Sequence, residues 1–81
     1  MNNMYISGKV VDMLRRRGAK GALIAPDYNY VKAGLVDSLG LLRFVLELEE
    51  FFGIEFNNAE VASNEFKTLG GLCDLIERKR S

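Results

Sequence analysis

The chain has 81 residues, 48% apolar and 27% charged, with eleven acids balancing eleven bases. That is the composition of one small folded domain, not of a disordered tail; its apolar runs are too short to cross a bilayer, and Met1-Asn2-Asn3-Met4 lacks the basic and apolar regions of a secretory signal. A single cysteine, Cys73, excludes an internal disulfide and suits a reducing cytoplasm, while the lack of any histidine excludes a Ser-His triad and a His-containing zinc site.

Carboxylate chemistry and Ser-Lys pairs stay formally open. A domain this small is poorly suited to burying a substrate, so the expectation is a chain with no catalysis of its own. The zero net charge hides an uneven distribution. Residues 33–66 hold seven acids (Asp37, Glu47, Glu49, Glu50, Glu55, Glu60, Glu65) against one base, Arg43. Residues 1–32 and 67–81 are basic. An acidic middle attracts a basic partner in a salt-sensitive way.

The first helix is expected over residues 3–17, with Met4, Val10 or Val11, and Leu14 at helical spacing and Asn2 or Asn3 as cap. Arg15, Arg16 and Arg17 suit its negative end, and Gly18 and Gly21 stop it. Residues 18–37 form a long connection with the only proline, Pro26, and turn formers at Asp27 and Asn29. Its apolar residues (Leu23, Ile24, Tyr28, Tyr30, Val31, Leu35, Val36) indicate a loop packed onto the core.

The second helix starts at Asp37 or Ser38 and runs to about Phe52, with Gly53 as C-cap. Ile54-Glu55-Phe56 leaves it extended, and a short helix covers about 58–64. Thr68 caps a last helix to about Lys79, with Leu69, Leu72, Leu75 and Ile76 inward and its first turn weakened by Gly70 and Gly71. The fold class is therefore all-α: a small bundle of three main helices and one short one.

The second helix carries two apolar faces. Leu41, Phe44, Val45, Leu48, Phe51 and Phe52 form a core stripe. Leu39, Leu42 and Leu46 fall elsewhere, beside Arg43, Glu47, Glu49 and Glu50. Leu42 either widens the core stripe or joins the outer face; Leu39 and Leu46 are expected to be exposed. An exposed apolar pair with an acidic rim is a docking surface for a partner protein, and it begins one residue after Ser38.

These residues resemble a known family. Asp37-Ser38-Leu39, preceded by Gly34-Leu35-Val36, resembles the Asp-Ser-Leu signature of acyl carrier proteins. Leu48-Glu49-Glu50-Phe51-Phe52-Gly53-Ile54-Glu55-Phe56 is similar to the family's helix end and exit, and Phe66-Lys67-Thr68-Leu69 to the start of its last helix. The resemblance covers the whole chain, 1–81, and implies one carrier domain: an acyl-carrier-like bundle with a long loop between helices 1 and 2.

It implies further that Ser38 receives phosphopantetheine from coenzyme A through a separate phosphopantetheinyl transferase, and carries cargo as a thioester. Ser38 then needs no base of its own chain. The family's habit of docking basic enzymes on this helix maps onto Leu39, Leu46, Glu47, Glu49 and Glu50. Asp37 would cap the helix, help to place metal-bound coenzyme A, or do both. Two departures, Gly40 and Arg43, stand where fatty-acid carriers usually show acids. The pattern also resembles stand-alone aminoacyl carriers, D-alanyl carriers included. A specialised stand-alone carrier is therefore expected, a cytoplasmic monomer served by an acyl- or aminoacyl-loading ligase and a downstream transferase. The alternatives are a housekeeping fatty-acid carrier and a small interaction module without prosthetic group. An autonomous hydrolase using Ser38 would turn over simple esters, and none is expected.

The remaining features have plainer readings. Cys73 is a packing residue, lacking the electropositive setting of a reactive thiolate. The runs Arg15-Arg16-Arg17 and Arg78-Lys79-Arg80 suit helix C-termini and come without a nucleic-acid motif, so neither nucleic-acid binding nor membrane insertion is expected. Asp27 and Asn29 lack the spacing of a calcium loop, no resident metal is expected, and Tyr28 and Tyr30 are loop packing residues.

Overall fold

A computed structural model describes residues 4–19 and 25–80. Four α-helices follow in order: α1 (Met4–Arg16), α2 (Ser38–Phe52), the short α3 (Asn58–Ala62) and α4 (Leu69–Arg80), with a 3-10 turn (Glu65–Lys67) before α4. Among the described residues there is no strand, and no helix is long and apolar enough to cross a membrane. The capping residues Asn2 and Asn3, and Gly21, Leu23 and Ile24 of the connection, lie outside the described residues.

The core is made where α1, α2 and α4 turn their apolar stripes inward. Ile6, Val10, Met13 and Leu14 come from α1, and Phe44, Val45, Leu48 and Phe52 from α2. From α4 come Leu69, Leu72, Cys73, Leu75 and Ile76. Two expected core residues stand elsewhere. Met4 is 85% exposed, because it lies on the side of α1 away from the stripe of Ile6, Val10, Met13 and Leu14, and Ile6 and Met13 fill the inner face instead. Phe51 is 46% exposed; it lies at the edge of the α2 stripe and stacks on Tyr5, ring centres 6.4 Å apart, with the Lys9 ammonium over its face at 5.7 Å.

The described part of the long connection, residues 25–37, is packed onto the core. Tyr30 is fully buried, with its ring edge-on to Phe44 at 5.4 Å and its hydroxyl donating to the Phe66 carbonyl. Asn29 Oδ1 accepts from the N–H groups of Val31 and Lys32, and Asn29 forms an isolated bridge with Thr68. Leu69 N–H donates to Tyr28 O at 3.0 Å and Gly70 N–H to Pro26 O at 2.7 Å. This explains the two glycines that weaken the first turn of α4. A Cβ on Gly71 would lie 2.3 Å from Glu65 O, and one on Gly70 3.0 Å from Pro26 O. Helix propensity yields there to close backbone approach.

Candidate functional site

The N-terminus of α2 is set by Asp37. Its backbone is extended, and its Oδ1 accepts from Gly40 N–H at 2.7 Å, so the side chain caps the helix. Gly40 suits this turn, since a Cβ there would lie 3.1 Å from Asp37 Oδ1. At the other end Gly53 adopts φ +67°, and its N–H closes on Glu49 O. Both ends of α2 are thus where the sequence places them.

Ser38 is the first residue of α2 and is exposed, and its hydroxyl makes no hydrogen bond among the described residues. It rims a groove of about 740 Å³ between α2 and the segment that carries α3. Leu41, Leu42, Val45 and Leu46 form one wall, Phe56, Val61 and Ala62 the other; Glu49, Asn58 and Lys67 add polar groups. Leu42, open between two positions from periodicity alone, is 57% exposed and lines this groove.

Ser63 differs from Ser38. Its hydroxyl donates to Glu60 O at 2.7 Å and accepts from Phe66 N–H at 3.2 Å, joining α3 to the 3-10 turn. Nearby, Asn57 and Glu60 form a reciprocal capping box, and Lys79 Nζ lies 2.9 Å from Glu60 Oε1. The hydrogen bond from Asn57 N–H, and then Lys79, hold the Glu60 carboxyl below its ordinary range.

The expected docking residues divide into three positions. Leu39 and Leu46 are 57% and 56% exposed and share the outward face of α2 with Glu50 and Arg43. Glu47 turns toward α1, paired with Arg16 at 2.8 Å and Arg17 at 2.9 Å. Glu49 turns toward the groove, where its Oε2 accepts from Phe56 N–H at 2.8 Å. Lys67, Phe56 and Val61 were not singled out from sequence, because the opposite wall is assembled by tertiary folding. The α2 wall was legible in principle: Ser38, Leu42, Val45 and Glu49 recur at i, i+4, i+7 and i+11.

Cys73 is fully buried among apolar residues. Burial first, then the charges of Asp74 and Glu77, pushes its thiol up to about 12, which makes it a packing group at neutral pH.

Neither the curated proteins nor the solved structures contain a match to the chain. A family model described as the phosphopantetheine attachment site matches residues 8–76. That span takes in the capped start of α2, the groove and most of α4, so the chain belongs to the phosphopantetheine attachment family of carrier domains, which bear covalently attached phosphopantetheine.

Proposed function

We propose that the chain is one carrier domain that is modified at Ser38 and carries acyl or aminoacyl cargo between separate partner enzymes in a specialised pathway. The observation that carries this is the exposed Ser38 hydroxyl. Of the two serines inside the matched span, it is the one without a hydrogen bond; Ser63 is engaged on both sides. The residues present suit such a group, since an open groove with apolar walls begins at Ser38. The bound arm supplies a terminal thiol that holds the cargo as a thioester.

The chain's own residues then position and present the arm. Asp37 caps α2 with one oxygen, which leaves the other to help place metal-bound coenzyme A during loading. Leu39, Leu46 and Glu50 form the face offered to basic partners: the phosphopantetheinyl transferase, a loading ligase and a downstream transferase; Glu47 and Glu49 flank it, each holding an intramolecular partner. Catalysis belongs to those enzymes; the chain has no histidine to activate its own serine. A specialised pathway is favoured over housekeeping fatty-acid synthesis by the zero net charge and by Arg43, exposed on the docking face. We place it in the cytoplasm as a monomer, meeting its enzymes as free proteins.

Incubation with coenzyme A, magnesium and a broad-specificity phosphopantetheinyl transferase tests the assignment by intact mass. Wild type and Ser63→Ala gain one arm, and Ser38→Ala gains none. A Ser38→Ala chain that still gains the arm contradicts it.

A further inference from the structure

We propose that Lys67 binds the phosphodiester of the arm on Ser38 and so fixes where the arm rests along the groove. The proposal builds on Ser38 as the attachment residue.

The groove has a direction. On α2 it follows Ser38, Leu42, Val45 and Glu49, eleven residues of helix or about 16 Å. The two walls meet where Glu49 accepts from Phe56 N–H. From Glu49 one wall returns along α2 to Ser38, and Asn58, Val61, Ala62 and Lys67 line the wall that faces it. Among the described residues, Glu49 and Lys67 are the charged groups in the lining. Glu49 is fastened to Phe56, and Lys67 is the one cation in the lining among the described residues.

Lys67 is also uncommitted. Arg16, Arg17, Arg78 and Lys79 each hold a carboxylate, whereas Lys67 enters no ion pair among the described residues. Between Arg43 and Lys67 the chain has six acids and no base. A phosphodiester attached to Ser38 brings a full negative charge beside the Asp37 carboxylate and into this acidic stretch. A cation facing the same groove relieves that repulsion. Three residues of 3-10 helix have almost no dipole to attract a lysine, so a helix-end role accounts poorly for it.

The backbone under Lys67 is held on both sides. Phe66 is fully buried, accepts from the Tyr30 hydroxyl and packs edge-on against Phe56 at 5.3 Å. Thr68 bridges to Asn29, and Leu69 N–H donates to Tyr28 O. A flexible ammonium stem on a fixed base suits capture of a mobile anion.

The test compares apo and holo forms of wild type, Lys67→Met, Lys67→Gln and Lys67→Arg by 31P and amide NMR. In the wild type at low salt, the holo phosphodiester 31P resonance is displaced from its high-salt position, and the amides of residues 66–68 shift between the apo and holo forms. Lys67→Met and Lys67→Gln lose both shifts, Lys67→Arg restores them, and added salt weakens them. The same 31P position and amide shifts in Lys67→Met or Lys67→Gln as in wild type overturn the proposal. A wild-type chain that takes no arm, read from its mass, overturns the attachment assignment and this proposal with it.

Discussion

At the scale of single residues, the chemistry turns on which polar side chains are already engaged. Asp37 holds Gly40 N–H and Ser63 bridges Glu60 and Phe66, whereas Ser38 holds nothing. Leu46 is the corresponding apolar case: it sits on the helix of the buried Val45 and Leu48, yet it is 56% exposed. Leu46→Ala should therefore leave helix content unchanged, read by circular dichroism. It should lower the efficiency of loading by the partner enzyme roughly tenfold, the size of a moderate interface contact. Equal loading efficiency for variant and wild type would remove Leu46 from the docking face. The place of Ser38 at the start of α2, the Asp37 cap and the exposure of Leu39 and Leu46 were legible from sequence, because capping preference and helical period act locally. Phe51 was not: at the border of the stripe, Tyr5 and Lys9 of α1 decide its exposure, and no local period reports them.

At the scale of elements, α2 and α4 were readable almost to the residue, since each has its own stop or cap signals: Asp37 and Gly53 for α2, Thr68 for α4. The groove was not readable, because its second wall depends on the exit from α2 being pinned to Glu49 and on the 3-10 turn being locked by Tyr30. Gly71 shows how propensity misleads there. By propensity alone Gly71→Ala would stabilise α4 by about 1 kcal/mol. The added Cβ would meet Glu65 O at 2.3 Å, so the substitution should instead destabilise, by roughly 1–3 kcal/mol. Urea denaturation checks the sign, and a raised midpoint would contradict the close approach. On the acid side, Glu60 supports α3 through its lowered pKa. That contribution is full above the ordinary 4.5 and fades as pH falls through the lowered value.

At the scale of the whole molecule, stability rests on one apolar core in which no charged side chain is buried among the described residues. Two neutral groups inside it set an alkaline limit. The Cys73 thiol rises from an ordinary 9.0 to about 12, and burial also raises the Tyr30 hydroxyl, helped by Cys73. A raised folded pKa gives stability that is complete below the ordinary value and lost as pH climbs toward the folded one. The urea midpoint should therefore hold from neutrality to about pH 9 and then fall, less steeply in Cys73→Ala; a midpoint unchanged to about pH 11 would mean that neither group is buried as described. Among the described residues one serine is uncommitted, at the head of α2, and the central claim is that this serine bears the arm. Trypsin separates it cleanly, because cleavage after Lys32 and Arg43 releases residues 33–43 with Ser38 as their only hydroxyl side chain. After loading, mass spectrometry should find the arm on that peptide alone. An arm on residues 44–67, which carry Ser63, or on no peptide at all, would contradict the account.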